Sequence, residues 1–99
     1  MNEAQLRGAL GLCKRAGRLQ SGADLVIKAI RAGSCRLALL DAGASEGTRK
    51  KITDACLFRS VPVYTLPAGE LSRACGKEDR MAAAVKPGKL CKRLMELLS

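Results

Sequence analysis

Gly17-Arg-Leu-Gln-Ser-Gly22-Ala-Asp-Leu-Val-Ile-Lys28-Ala-Ile30 is the stretch on which the fold turns. Leu19-Gln20-Ser21 reads as a short extended piece. Gly22 then opens a helix, Ala23 to Ala32, in which Val26, Ala29 and Ile30 share one face and Gly33 is the stop. The first N–H groups of a helix have no intrahelical acceptor, and they lie at the positive end of its dipole. Gly22 and Ala23 put no bulk over them, so another backbone can approach closely. Asp24, Lys28 and Arg31 follow at i, i+4 and i+7 on one polar face. Lys14, Arg15 and Arg18 precede the strand and are expected to flank the same edge. The set makes a cradle for a phosphate backbone. The same residues fit equally well an ordinary surface pair, Asp24–Lys28, worth about 0.2–0.5 kcal/mol.

The pattern continues on both sides of this stretch. Residues 2–16 read as a helix with Leu6, Ala9, Leu10 and Cys13 at helical spacing, ended by Gly17. Arg36 to Leu40 is a buried strand. Ser45 is an N-cap for a helix that runs to about Arg59, with Ile52, Ala55 and Cys56 inward. Val61-Pro62-Val63-Tyr64-Thr65 is a strand whose proline sits near its start. Pro67 suits the first turn of a fourth helix, with Leu71, Ala74 and Cys75 inward and Gly76 as its end. Met81 to Val85 is a last strand, unusual for its run of three alanines, and Lys89 to Leu98 is a C-terminal helix. The order αβαβαβαβα predicts an α/β protein, a three-layer α/β/α sandwich with helices on both faces of one sheet.

Ninety-nine residues make one domain, 1–99. There are 18 Lys and Arg against 9 Asp and Glu, a net charge of +9, with the basic residues spread along the whole chain. The charge therefore belongs to the folded domain and points to a polyanionic partner, nucleic acid or an acidic membrane surface. The only aromatic residues are Phe58 and Tyr64, too few for a module that reads a single strand by stacking its bases. The chain has no histidine, which excludes His-based acid–base chemistry, His metal sites and Ser-His or Cys-His nucleophiles. Cys13, Cys35, Cys56, Cys75 and Cys91 are 16 to 22 residues apart with no CxxC, so they are expected to be reduced, buried, apolar side chains.

Gly43-Ala-Ser-Glu-Gly47-Thr48 is one residue short of a Walker loop and lacks its lysine, so it reads as a turn into an N-cap. Asp24, Asp41, Asp54, Glu70 and Glu78-Asp79 fall on separate elements and offer no catalytic carboxylate pair. The expectation is a protein that is not an enzyme and needs no cofactor, metal or small-molecule substrate. The N-terminus has no apolar signal region, and the longest apolar run, Met81–Val85, is far below the ~20 residues of a membrane span. A cytoplasmic protein is expected.

Three motifs in order carry a resemblance. They are Gly17-Arg-Leu-Gln-Ser-Gly22-Ala-Asp-Leu-Val-Ile-Lys28-Ala-Ile, then Val61-Pro-Val-Tyr64, then Leu71-Ser-Arg-Ala-Cys-Gly76 leading to Ala82-Ala-Ala-Val85. Over roughly residues 4 to 86 the sequence resembles the ribosomal L-seven-Ae/L-thirty-e family of kink-turn RNA-binding proteins, in particular its small bacterial ribosome-associated members. The resemblance implies a four-stranded mixed sheet and an RNA surface at one end of it. Carried over, the strand-to-helix junction supplies Gly22, Ala23, Asp24, Leu25 and Lys28, and the loop before the last strand supplies Lys77, Glu78, Asp79 and Arg80. Kink-turn binders carry an Asn-Glu pair that reads guanine edges where this chain has Asp24-Leu25. Their loop is often apolar, and here it is charged. Leu25 cannot hydrogen-bond, so the residues favour binding through backbone approach and positive charge over base reading.

The residues expected to bind RNA are Arg18, Gln20, Gly22, Ala23, Asp24, Leu25, Lys28, Arg31, Lys77 and Arg80. The expected partner is structured RNA, ribosomal or kink-turn, with the ribosome itself as a further one. Phosphate contacts of this kind position a protein without specifying sequence. Arg49-Lys50-Lys51 is expected to be a solvated helix face that at most widens the positive footprint. Two other readings remain open. One is a ribosome- or protein-associated interaction module with incidental RNA contact. The other is membrane-surface binding by residues 86–98, against which docking of that amphipathic helix onto the domain is preferred.

Overall fold

A computed structural model of the chain describes residues 2–99. The elements in order are α1 (Glu3–Arg15), β1 (Leu19–Ser21), α2 (Ala23–Arg31), β2 (Leu37–Asp41), α3 (Glu46–Arg59), β3 (Val63–Leu66), α4 (Glu70–Cys75), β4 (Ala82–Val85) and α5 (Lys89–Leu98). The strands form one sheet in the order β1-β4-β2-β3. The last strand in the chain therefore lies inside the sheet, antiparallel to both β1 and β2, while β2 and β3 are parallel. Strict α/β alternation alone suggests a parallel sheet; the mixed sheet implied by the family resemblance is the one found.

The strands alternate sides with period two, which makes two cores. Leu37 and Leu39 of β2 and Ala83 and Val85 of β4 join Leu6, Leu10 and Cys13 of α1, Leu71 of α4 and Leu94 of α5. Ala38, Leu40, Ala82 and Ala84 face the other way and join Val26 and Ile30 of α2 with Ile52 and Cys56 of α3. Each fully buried Leu or Ile contributes roughly 1.5–3 kcal/mol from transfer out of water. The alanines of β4 leave no side-chain bulk over the middle of the sheet, and α2 packs directly on that strand.

Several element ends differ from the sequence expectation. β3 starts at Val63, because Pro62 has no N–H to donate and serves through its carbonyl, which accepts from Ala38 N–H at 3.0 Å. Pro67 precedes α4 instead of opening it. Its carbonyl accepts from Glu70 N–H at 3.2 Å in a turn, and Gly69, at φ 88°, lies between the turn and the helix. β4 starts at Ala82 and β2 extends to Asp41, whose N–H reaches the Met81 carbonyl at 2.8 Å. Ser45 caps α3 as expected, accepting from Thr48 N–H at 3.2 Å.

Helix α5 buries Cys91 and Leu94 and packs Leu90, Met95, Leu97 and Leu98 on the first core. Its apolar face is thus covered by the domain itself. No helix of the described residues is long and apolar enough to cross a membrane. All five cysteines are buried free thiols. Burial pushes the Cys13, Cys35 and Cys91 thiols up and takes Cys56 to about 11, so these four are not ready nucleophiles.

Two buried carboxylates tie the layers together. Asp41 accepts from Gly43 N–H at 2.7 Å and from Gly69 N–H at 2.8 Å, fixing both the turn into α3 and the start of α4. Glu70 lies between the half-exposed Arg7 and Arg73, at 2.9 and 3.0 Å. The hydrogen bonds from Arg7, then the charges of both arginines, overcome its burial and hold the Glu70 carboxyl below its ordinary range.

Candidate nucleic-acid interface

β1 and β2 run in the same direction, because each is antiparallel to β4; β3 follows β2. Helices α2, α3 and α4 therefore all start at one end of the sheet, and the α4–β4 loop returns to that end. Gly22, Ser45, Gly69 and Arg80 converge there although they span 58 residues of sequence.

The start of α2 is bare. Gly22, at φ 103° and ψ 131°, is its N-cap, and no side chain bonds to the first turn. Such a φ suits glycine and strains other residues. Gly22 N–H donates to the Ala82 carbonyl at 3.0 Å and its own carbonyl accepts from Val26 N–H, which locks the junction onto β4. The amides of Ala23, Asp24 and Leu25 have no acceptor within the helix.

Arg80 closes over this point. Its backbone N–H donates to Ser72 Oγ at 3.0 Å, anchoring it to α4. Its Nη1 lies 3.3 Å from where a Cβ on Gly22 would stand. Its Nε is buried and, among the described residues, is the one buried side-chain polar atom without a hydrogen-bond partner. A cation beside the positive end of a helix dipole is unfavourable unless an anion joins them. Free helix amides and an unsatisfied guanidinium N–H thus lie side by side, donors of the kind that hold an anion.

The other expected residues divide. Ala23 is half-buried, while Asp24, Leu25 and Lys28 are exposed on the first turns of α2. Leu25 is 53% exposed. Asp24 and Lys28 do not close into an ion pair; among the described residues the pairs are Arg7–Glu70, Lys50–Asp54, Arg73–Glu70 and Arg93–Glu96. Arg31 lies in the last turn, about 12 Å along the helix from Ala23. Gln20 is half-buried on the edge strand β1 opposite Ala84. Lys77 is exposed on the α4–β4 loop, where its N–H donates to the Ser72 carbonyl at 3.2 Å. Glu78 and Asp79 are exposed beside it, Asp79 at φ 58°.

Arg18 is the correction. The sequence places it at the same edge as Gly22, but it enters β1 from the opposite end of the sheet. Its carbonyl accepts from Lys86 N–H, its guanidinium donates to the Pro87 carbonyl, and it lies against Gly88 at the start of α5. Four residues of extended chain separate it from Gly22, about 13 Å.

The run Arg49-Lys50-Lys51 also divides. Arg49 is half-buried and donates to Thr65 Oγ1, and Lys50 pairs with Asp54 at 3.5 Å. Lys51 faces α2 across an open groove, together with Arg59, whose Nη2 donates to the Arg31 carbonyl at 2.7 Å. These two α3 cations were missed as a group by the sequence reading, although Lys51 and Arg59 stand two helical turns apart. Among the described residues no cluster of three or more acidic, Cys or His side chains could hold a metal.

Similar proteins share this architecture. A protein named RNA-binding protein YlxQ from Bacillus subtilis (strain 168) is 42% identical over 90 residues, 90% of each chain. One of the same name from Enterococcus faecium is 32% identical, covering 99% of this chain and 98% of its own. A Bacillus halodurans C protein, described as of unknown function, matches with a TM-score of 0.89 at 33% identity, covering 96% of this chain and 97% of that one. The Giardia lamblia 15.5kD RNA binding protein matches with a TM-score of 0.77 over 96% of this chain and 82% of that one; at 19% identity it shows a shared fold. The sequence profile of one family covers residues 4–94, taking in β1, the bare start of α2 and the Arg80 loop alike: the chain belongs to the Ribosomal protein L7Ae/L30e/S12e/Gadd45 family.

Proposed function

We propose that the chain is a single, non-catalytic RNA-binding domain that recognises structured RNA of ribosomal or kink-turn type in the cytoplasm. The observation that carries this reading is the unpartnered Arg80 Nε beside the uncapped start of α2. A phosphate at a bend of the RNA backbone supplies the missing acceptor to both. Lys28 and Arg31 then continue the positive charge along α2, and Lys77 extends it onto the loop. The names of the Bacillus and Enterococcus relatives support RNA as the ligand class. Leu25, exposed and unable to hydrogen-bond, supports reading by backbone shape over reading by base edges.

Gel shifts with a kink-turn hairpin, a plain duplex and a single strand of equal length test this. The kink-turn hairpin is expected to bind tightest; equal affinity for all three sinks the shape-reading claim. Lys28→Ala is expected to weaken hairpin binding more than Lys51→Ala, and the opposite ranking would move the phosphate site to α3. A second reading, a protein-interaction module on the ribosome, is favoured by the exposed Leu25 at the same place. It predicts no measurable affinity for any of the three RNAs at physiological salt.

A further inference from the structure

The α2–α3 groove is a separate feature from the bare start of α2. Asp24, Ile27, Lys28 and Arg31 of α2 line it at i, i+3, i+4 and i+7. Lys51, Asp54, Ala55 and Phe58 of α3 repeat that spacing on the facing wall, with Arg59 at the end. The volume is about 750 Å³. Four cations face two carboxylates, and one of these, Asp54, is already held by Lys50. The groove is therefore positive, and its walls are those of two rigid helices.

Phe58 stands at its far end and is 85% exposed. Arg59 lies over the ring at 6.0 Å from its centroid, the outer limit of a cation–π contact, and leaves the ring largely open. The fold makes no use of this ring: it belongs to neither core. An exposed aromatic with one cation over it, in a groove lined by three more, matches one ligand chemistry well, a nucleotide, with its base on the ring and its phosphate on the cations. One ring is no platform for a run of bases, which agrees with the scarcity of aromatics. It is a seat for one.

We infer that the α2–α3 groove binds a single unpaired nucleotide flanking the structured part of the RNA, its base stacked on Phe58 and its phosphate held by Lys28, Arg31, Lys51 and Arg59. This rests on the RNA-binding reading above and extends its surface from the start of α2 along the length of that helix.

The test compares a kink-turn hairpin carrying a two-nucleotide unpaired flank with the same hairpin made blunt. The native protein is expected to bind the flanked RNA about five- to tenfold tighter, the low end of what stacking one base gives. Phe58→Ala is expected to abolish that preference and leave affinity for the blunt hairpin within about twofold. Equal binding of the two hairpins by the native protein overturns the inference while leaving the parent reading intact. So does a Phe58→Ala variant that loses affinity for both alike. Loss of all hairpin binding by the native protein would instead sink the parent reading. The groove has an independent readout, because the chain contains no tryptophan. In Phe58→Trp a short unstructured oligonucleotide is expected to quench the indole fluorescence. The absence of quenching, as expected if Phe58 serves an apolar protein partner, overturns the inference whatever the hairpins do.

Discussion

Helices α2 and α4 start alike and are finished differently. Each begins on a glycine with positive φ, Gly22 at 103° and Gly69 at 88°, and neither has a side-chain cap. Each has arginine close by. At α4 the protein supplies what is missing: Asp41 accepts the Gly69 N–H, and the buried Glu70 in the first turn holds Arg7 and Arg73. At α2 the first-turn carboxylate, Asp24, is exposed and takes part in none of the ion pairs of the described residues. Arg80 keeps an unsatisfied Nε and the first-turn amides stay free. A helix start on an uncapped glycine of positive φ is thus completed from within at α4, and at α2 it is left open for the anion proposed above.

Removing the internal acceptor should have the largest effect. Asp41→Ala removes the hydrogen bonds of a charged acceptor to the Gly43 and Gly69 amides, each worth about 1.5–3 kcal/mol. A loss of about 2–4 kcal/mol is expected in urea unfolding, and an unchanged midpoint would mean that α4 is not held this way. Arg80→Met should do the reverse. RNA affinity is expected to fall about tenfold, equivalent to ~1.4 kcal/mol, with no loss of thermal stability. Sulfate or phosphate should raise the melting temperature of the native protein more than that of the variant, the excess over their general stabilising effect reporting the site. A destabilised Arg80→Met would show that this arginine serves the fold as those around Glu70 do.

Glu70→Gln sharpens the comparison least and on a different axis. The native carboxyl is held below its ordinary value of about 4.3, so its stabilisation is present above that pH and is lost as pH falls through the lowered value. The variant is expected to be about 1 kcal/mol less stable at pH 7, a discounted figure because Arg7 and Arg73 are half-exposed. The gap should close on acidification toward pH 3; a gap that stays constant would show that the pair contributes nothing through charge.

Much of this was legible in the sequence, for reasons that also mark its limit. Period and punctuation are local, so α1 to α5, Ser45 as a cap and the glycine at the start of α2 could be read directly. The antiparallel sides of the sheet are not local: β4 enters between β1 and β2, a choice that alternation of elements does not express. Arg18 shows the cost. It is four residues from Gly22 in the sequence, and strand direction carries it to the other end of the sheet. Gly22 and Arg80 show the converse, since only the family resemblance joined two residues 58 apart. Asp41 and Glu70 read as carboxylates on unrelated elements because their partners, Gly69 and Arg7, are reached through the sheet and through α1. The i, i+3, i+4, i+7 face of Lys51 to Phe58 was present in the sequence. Its meaning was not, because a facing wall appears only once α2 and α3 pack side by side.

The inward position of β4 also sets a timetable. Chains emerge during synthesis at about 5–20 residues per second, and long-range strand pairing waits for both partners. Here the third and fourth neighbours of the sheet, β2 and β3, are made early, while β1 stands apart until β4 arrives to bridge it to β2. Gly22 is held by Ala82, and Arg80 belongs to the same late segment. The proposed anion site is therefore assembled in the same step that closes the sheet, so a half-made chain is already positive before its proposed place of binding exists.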